Sequence, residues 1–282
     1  MHSLFTLTLN LERAGKVICV QSLPFDPARA TLLLLSPVGT QCFYMKNAAL
    51  FLISRFNLII LESDALLAYA AAADLAPDEG VADFIRQFYA ALPKAVHVDA
   101  LVGYCSSAPL ALLAASLGAC STLLLLNGAY FLKNDEVSKS QYERDVERMM
   151  QSIPQGNCAQ VYEAVSLLHA NSAYTPSDYR YQQVRPLREL PAFRQYLTFL
   201  NSLASLEVAR TAQAVQAPTL VWCGSQDRYT DTASSRYIAK WLPHSELVED
   251  PDGQHHDFVD GHKQLYQAMT RFLTHHQQRA VQ

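Results

Sequence analysis

Five short apolar runs punctuate the chain: "ATLLLLSP" (30–37), "FNLIILES" (56–63), "VDALVGY" (98–104), "STLLLLNG" (121–128) and "APTLVWCG" (217–224). Each is continuous rather than alternating and closes on turn residues, the pattern of strands covered on both faces of a parallel sheet. Between and after them, the spacing predicts helices over roughly 45–55, 80–92, 106–118, 232–241 and 259–274. "HSELVED" supplies a final short strand, and "KVICVQSLPF" near the start an antiparallel edge pair. Strand and helix alternating in this way imply right-handed βαβ units and an α/β fold, a mostly parallel sheet of about eight strands with helices on both faces.

The alternation stops between about 134 and 213. There "NDEVSKSQYERDVERMMQSI" and "PAFRQYLTFLNSLASLEVARTA" read as amphipathic helices joined by a Tyr-, Pro- and Ser-rich connection. The expected organisation is therefore a core domain from 1–133 and 214–282, interrupted by a helical insertion at 134–213 that serves as a lid. Its apolar and aromatic residues, Tyr142, Tyr162, Leu167, Leu168, Tyr174, Tyr179, Tyr181, Phe193, Tyr196, Phe199 and Leu200, are read mainly as the insertion's own core and its seam with the main domain. The remainder are available to an apolar ligand.

Half of the 282 residues are hydrophobic and the formal net charge is −4. Lys and Arg are scattered, so the chain carries no basic footprint for nucleic acid. The longest apolar runs are too short to span a bilayer, and the N-terminus does not read as a secretory signal. Six cysteines are widely spread with no CxxC pair, which points away from a zinc site or a disulfide framework and toward a reducing cytoplasm. Neither a G-x-G-x-x-G nor a G-x-x-x-x-G-K motif is present, and no cofactor is expected.

Chemistry concentrates in "DALVGYCSSAPLAL". A strand reaches Gly103, turns through Tyr104, Cys105, Ser106 and Ser107, and becomes a helix. A nucleophile at such a turn stands above the carboxyl ends of the strands, and the backbone N–H of the next residue, Ser106, can face a developing oxyanion. Strand and helix nearly touch there, so the flanking positions need small residues, here Gly103 and Ser107. "GYCSS" thus reads as a nucleophile elbow with Cys in place of Ser. A thiol nucleophile needs a base, and the base an orienting acid. "APTLVWCGSQDRYT" supplies Asp227 after a later strand, and "HSELVEDPDGQHHDF" supplies His255 and His256 after the last one. Asn127, after "STLLLLNG", is the alternative orienter if Asp227 points away. Adjacent histidines diverge, so "HHD" is not read as a metal site.

These three motifs, in this order, give the chain a resemblance over nearly its whole length to the α/β-hydrolase superfamily. The Cys elbow resembles dienelactone hydrolases and some biosynthetic thioesterases. The resemblance implies Cys105 as nucleophile, Asp227 as acid and His255 as base. His255 is preferred to His256 because Phe272–Leu273 in the terminal helix falls at the family's distance from it. The second oxyanion donor should come from the loop after "TLLLLS". The family often has His-Gly there, whereas this chain has Ser36–Pro37. Proline has no N–H to give, which leaves Val38, with Gly39 as the alternative.

A thiol at a helix N-terminus beside an imidazole is expected to favour a thiolate–imidazolium pair. Its acyl-enzyme is a thioester, so exchange with a carrier-protein or CoA thioester is nearly thermoneutral. The leading expectation is therefore an acyl hydrolase or thioesterase, acting on an apolar or polyketide-like acyl group carried on an acyl carrier protein or CoA. The alternatives are an acyltransferase, cyclase or C–C bond-cleaving enzyme on the same residues, and a catalytically silent binding protein on the same fold.

Overall fold

The computed structural model describes residues 3–94, 96–134, 136–169, 174–175, 178 and 180–280. Eight strands form one sheet: β1 (Ser3–Leu11), β2 (Gly15–Leu23), β3 (Thr31–Ser36), β4 (Asn57–Glu62), β5 (Ala100–Tyr104), β6 (Thr122–Leu126), β7 (Thr219–Gly224) and β8 (Ser245–Asp250). Their order is β1-β2-β4-β3-β5-β6-β7-β8. β2 runs antiparallel to β1 and to β4, and every other neighbouring pair is parallel. β5 is therefore interior, between β3 and β6.

The continuous apolar runs do what two-sided burial requires. Leu33 and Leu35 of β3 join one core, while Leu32 and Leu34 point into the other. β6 divides in the same way, Leu123 and Leu125 against Leu124 and Leu126. Side chains in a strand alternate between faces, so a run of leucines serves two cores at once.

Helices α1 (Lys46–Leu52), α2 (Ser63–Ala72), α3 (Pro77–Ala91) and α4 (Ala108–Ser116) fall among the first strands. Between β6 and β7 lie α5 (Gln141–Gln151), α6 (Cys158–His169), α7 (Tyr181–Val184), α8 (Leu190–Ala204) and α9 (Val208–Ala214). α10 (Thr232–Trp241), α11 (Asp257–Asp260) and α12 (Lys263–Ala280) complete the chain. α2 and α6 were not expected from the pattern. α2 starts directly at the end of β4 and is Ala-rich and apolar around much of its circumference, so it shows little amphipathic period.

The β5–α4 junction is closely packed. A Cβ built on Gly103 would stand 2.6 Å from Ala111 Cβ and 2.7 Å from Ala108 Cα. The Ser107 hydroxyl accepts the Tyr104 N–H at 2.9 Å and lies 2.8 Å from the Leu35 carbonyl, pinning the turn to β3. Gly103→Ala is expected to cost about 1–3 kcal/mol by overpacking. Urea unfolding should show a lower midpoint at unchanged slope; an unaltered midpoint would mean that the junction has slack.

Candidate active site

Cys105 follows β5 directly, with φ 55°. An L-residue in this left-handed region costs about 1–3 kcal/mol and persists only where surrounding contacts enforce it. Here they are the Gly103–α4 packing, the Ser107 hydroxyl and the bond from Ala129 N–H to the Cys105 carbonyl at 3.0 Å. The side chain is half-buried, at the N-terminus of the short 3-10 turn that runs into α4.

Two other strand ends bring partners to it. Beyond β7, the Asp227 carboxylate accepts from Tyr229 N–H at 2.7 Å, Thr230 N–H at 3.0 Å and the Thr230 hydroxyl at 2.7 Å. Beyond β8, His255 places Nδ1 2.7 Å from Asp227 Oδ2, with both side chains almost fully buried. The ring is also within electrostatic reach of the Cys105 side chain. Burial alone would push His255 down, but Cys105 and Asp227 outweigh it and lift the imidazole to about 10. Burial works against Asp227 too, yet His255 and Thr230 hold its carboxyl below the ordinary range. The sequence-selected Cys105, His255 and Asp227 are thus adjacent.

His256 faces elsewhere. Its Nδ1 lies 3.3 Å from the Tyr104 hydroxyl and its Nε2 3.1 Å from Gln183 Nε2. Burial and the neighbouring His255 push it down to about 4, which keeps it neutral. The Tyr104 hydroxyl donates to the His255 carbonyl at 2.9 Å.

Asn127 does not serve as an orienter of the imidazole. Its Nδ2 donates to the carbonyls of Gln254 and His255, both at 3.0 Å, while its Oδ1 accepts Gly224 N–H at 3.1 Å. It therefore clamps the backbone of the His255 loop to the end of β7. The two loops meet so closely that a Cβ on Gly224 would fall 2.3 Å from the Gly253 carbonyl carbon. Further along, His262 Nδ1 stands 3.6 Å from an oxygen of both Asp250 and Asp257, at the two ends of the same loop.

The two backbone amides expected to face an oxyanion are arranged asymmetrically. Ser106 N–H belongs to the first turn, where backbone donors have no intrahelical acceptor. Val38 N–H points toward the elbow but donates to the Ser106 hydroxyl at 2.9 Å, so an oxyanion must displace that hydroxyl or share the donor with it. Gly39 N–H donates instead to Asp64 Oδ1 at 2.7 Å. Nothing in the residue pattern singled out Asp64, because it lies in the unexpected α2.

Of the aromatic residues in the helical segment, Phe193, Phe199 and Leu200 are buried within it, and Tyr162 packs on Phe193 with ring centroids 5.6 Å apart. Leu167 is exposed. Tyr142 stands 4.8 Å from Tyr229, whose ring is itself 4.8 Å from His255. Tyr196 lies against Gly39, within 2.8 Å of a Cβ built there. Tyr142 and Tyr196 are both within electrostatic reach of Cys105. Tyr179 and the side chain of Leu168 lie outside the described residues.

Asn127→Ala removes three buried hydrogen bonds that fix the His255 loop, and is expected to cost about 3 kcal/mol of stability. A misplaced imidazole should also slow alkylation of Cys105 by iodoacetamide up to about 100-fold. An unchanged alkylation rate would show that the loop's remaining contacts, the Tyr104 hydroxyl among them, suffice to place it.

The model of a family described as alpha/beta hydrolase fold matches residues 77–262. A protein of Pseudomonas savastanoi pv. glycinea named L-allo-isoleucyltransferase is 84% identical over 282 residues, the full length of both chains. Among solved structures, a putative lipase from Acinetobacter baumannii AYE superposes with a TM-score of 0.66 at 15% identity, over 98% of this chain and 93% of that one. The 2-hydroxy-6-oxo-6-phenylhexa-2,4-dienoate hydrolase of Rhodococcus sp. strain RHA1 does so with 0.60 at 14%, over 98% and 100%. At such identities these two likenesses concern the fold. No helix among the described residues is long and apolar enough to cross a membrane. With a family model matched over well more than half its length, the chain belongs to the alpha/beta hydrolase fold family.

Proposed function

We propose that the protein is an aminoacyltransferase that carries a branched aliphatic aminoacyl group as a thioester on Cys105, taking it from one thiol carrier and delivering it to another. The observation that carries this reading is Cys105 itself, held at φ 55° on the elbow against the His255–Asp227 pair. The name of the Pseudomonas relative supports transfer over hydrolysis and suggests L-allo-isoleucyl as the group. The thermodynamics of a cysteine nucleophile agree, since thioester-for-thioester exchange keeps the acyl group activated. A serine would leave it on a more stable oxyester.

In this mechanism the Cys105 thiolate attacks the carbonyl carbon of the donor thioester. The resulting oxyanion is held by Ser106 N–H and, after rearrangement of the Ser106 hydroxyl, by Val38 N–H. Collapse breaks the bond to the donor sulfur, which takes the proton from the His255 imidazolium. An acceptor thiol then gives its proton to His255 and attacks the acyl-cysteine, restoring the starting state. Asp227 stabilises the imidazolium throughout. Tyr142 from the lid and Tyr229 from the loop after β7 limit water near the acyl-cysteine. The donor and acceptor thiols belong to carrier-protein or CoA phosphopantetheine arms.

Intact mass after incubation with L-allo-isoleucyl-CoA should show one aminoacyl adduct, absent in Cys105→Ala. An added thiol should discharge it faster than water does. Cys105→Ser should acylate more slowly and hold its adduct longer, and His255→Ala should lower acylation by about 10²–10⁴-fold. Full turnover in Cys105→Ala would exclude the covalent route. The pH profile follows from the same pair. A histidine raised to about 10 stays protonated through the neutral range, and Asp227, lowered, stays ionised there. Acylation should therefore be level from about pH 6.5 to 9 and fall as pH rises through about 10. A limb near 6.5 would mean that the two residues are uncoupled.

A further inference from the structure

An aminoacyl thioester differs from an ordinary acyl thioester by a cation on the carbon next to the reacting carbonyl. A largely buried cleft that accepts it needs an anion close to the oxyanion donors. We infer that Asp64 supplies this anion and is the α-ammonium subsite of the aminoacyl donor, an assignment that rests on the transfer reading above.

The other carboxylates near the site do not bond the Val38–Gly39 backbone. Asp227 holds His255, Tyr229 N–H and both donors of Thr230. Glu62 accepts Cys42 N–H through Oε1, and Glu143 caps α5 and accepts Asp231 N–H through Oε2. Asp64 is half-buried and uses one oxygen, Oδ1, for Gly39 N–H; among the described residues no donor reaches the other. Arg185 is the nearby cation, yet its guanidinium turns to the Gly39 carbonyl at 3.3 Å, and the described ion pairs include none between it and Asp64. Desolvation raises the Asp64 carboxyl to about 6 against the pull of Gly39 N–H and Arg185, as expected of an anion taken from water with incomplete compensation.

Position supplies the stronger argument. Val38 N–H points to the oxyanion side of the elbow and Gly39 N–H to Asp64, so consecutive amides fix both places. Consecutive amide nitrogens are at most about 3.6 Å apart, which puts the Asp64 oxygen within about 9 Å of the oxyanion seat even if the two bonds diverge. An α-ammonium lies about 3 Å from its own carbonyl oxygen, on whichever side its counter-charge is placed. Tyr196 lies against Gly39 and within electrostatic reach of both Cys105 and Asp64.

Asp64→Asn keeps an oxygen for Gly39 N–H and removes only the charge. The test compares rates of Cys105 acylation, by intact mass, with L-allo-isoleucyl-CoA and with its desamino counterpart, 3-methylpentanoyl-CoA. The wild-type ratio of the two rates should be about 100 or more, and in Asp64→Asn it should fall to near unity through loss of the aminoacyl rate. Retention of the ratio in Asp64→Asn, or loss of acylation by both donors together, overturns the subsite and leaves Asp64 a loop anchor. If wild type is acylated by neither donor, the transfer reading itself falls and the subsite with it.

Discussion

The left-handed backbone at Cys105 is the constraint on which the rest of the site depends. Chain direction reverses there from an interior strand into a helix within three residues. The turn is possible only because Gly103 lets α4 approach and Ser107 ties the bend to β3. The strain is spread through packing on both sides of the sheet. As a result, the thiol stands at a helix N-terminus, in front of whatever the neighbouring strand ends deliver. What they deliver is fixed just as firmly. Asp227 is locked by its own turn, and the His255 loop is held by Asn127, the Tyr104 hydroxyl and the contact between Gly224 and Gly253.

Much of this was legible in the sequence, for physical reasons. Continuous leucine runs such as those of β3 and β6 have few alternatives to two-sided burial, and they located the interior strands. The elbow could be read because its geometry demands small residues at fixed places around the residue that turns. Asp227 and His255 came from the order of motifs in the α/β-hydrolase resemblance, which also separated His255 from His256. The less visible parts lack such a signature. α2 and α6 carry too little amphipathic contrast to stand out. Asn127 sits where an orienting side chain could, but its role depends on which backbone carbonyls a distant loop brings to it. The occupation of Val38 N–H by the Ser106 hydroxyl, and of Gly39 N–H by Asp64, is a matter of tertiary contact alone.

The electrostatics unite these parts. Removing His255 from water opposes its protonation, and its interactions with Cys105 and Asp227 together reverse that penalty. In the proposed transfer reaction, the choice of cysteine over serine also sets the reactivity of the acyl-enzyme. Neutral His256 next to His255 adds no competing charge.

The most direct test of this account is an NMR titration of the His255 ring in selectively labelled protein, with Cys105→Ala as the comparison. The account predicts an imidazolium that persists through neutral pH and titrates near 10, with its midpoint falling when the thiol is removed. A midpoint near 6.5, or one that Cys105→Ala leaves unmoved, would contradict it.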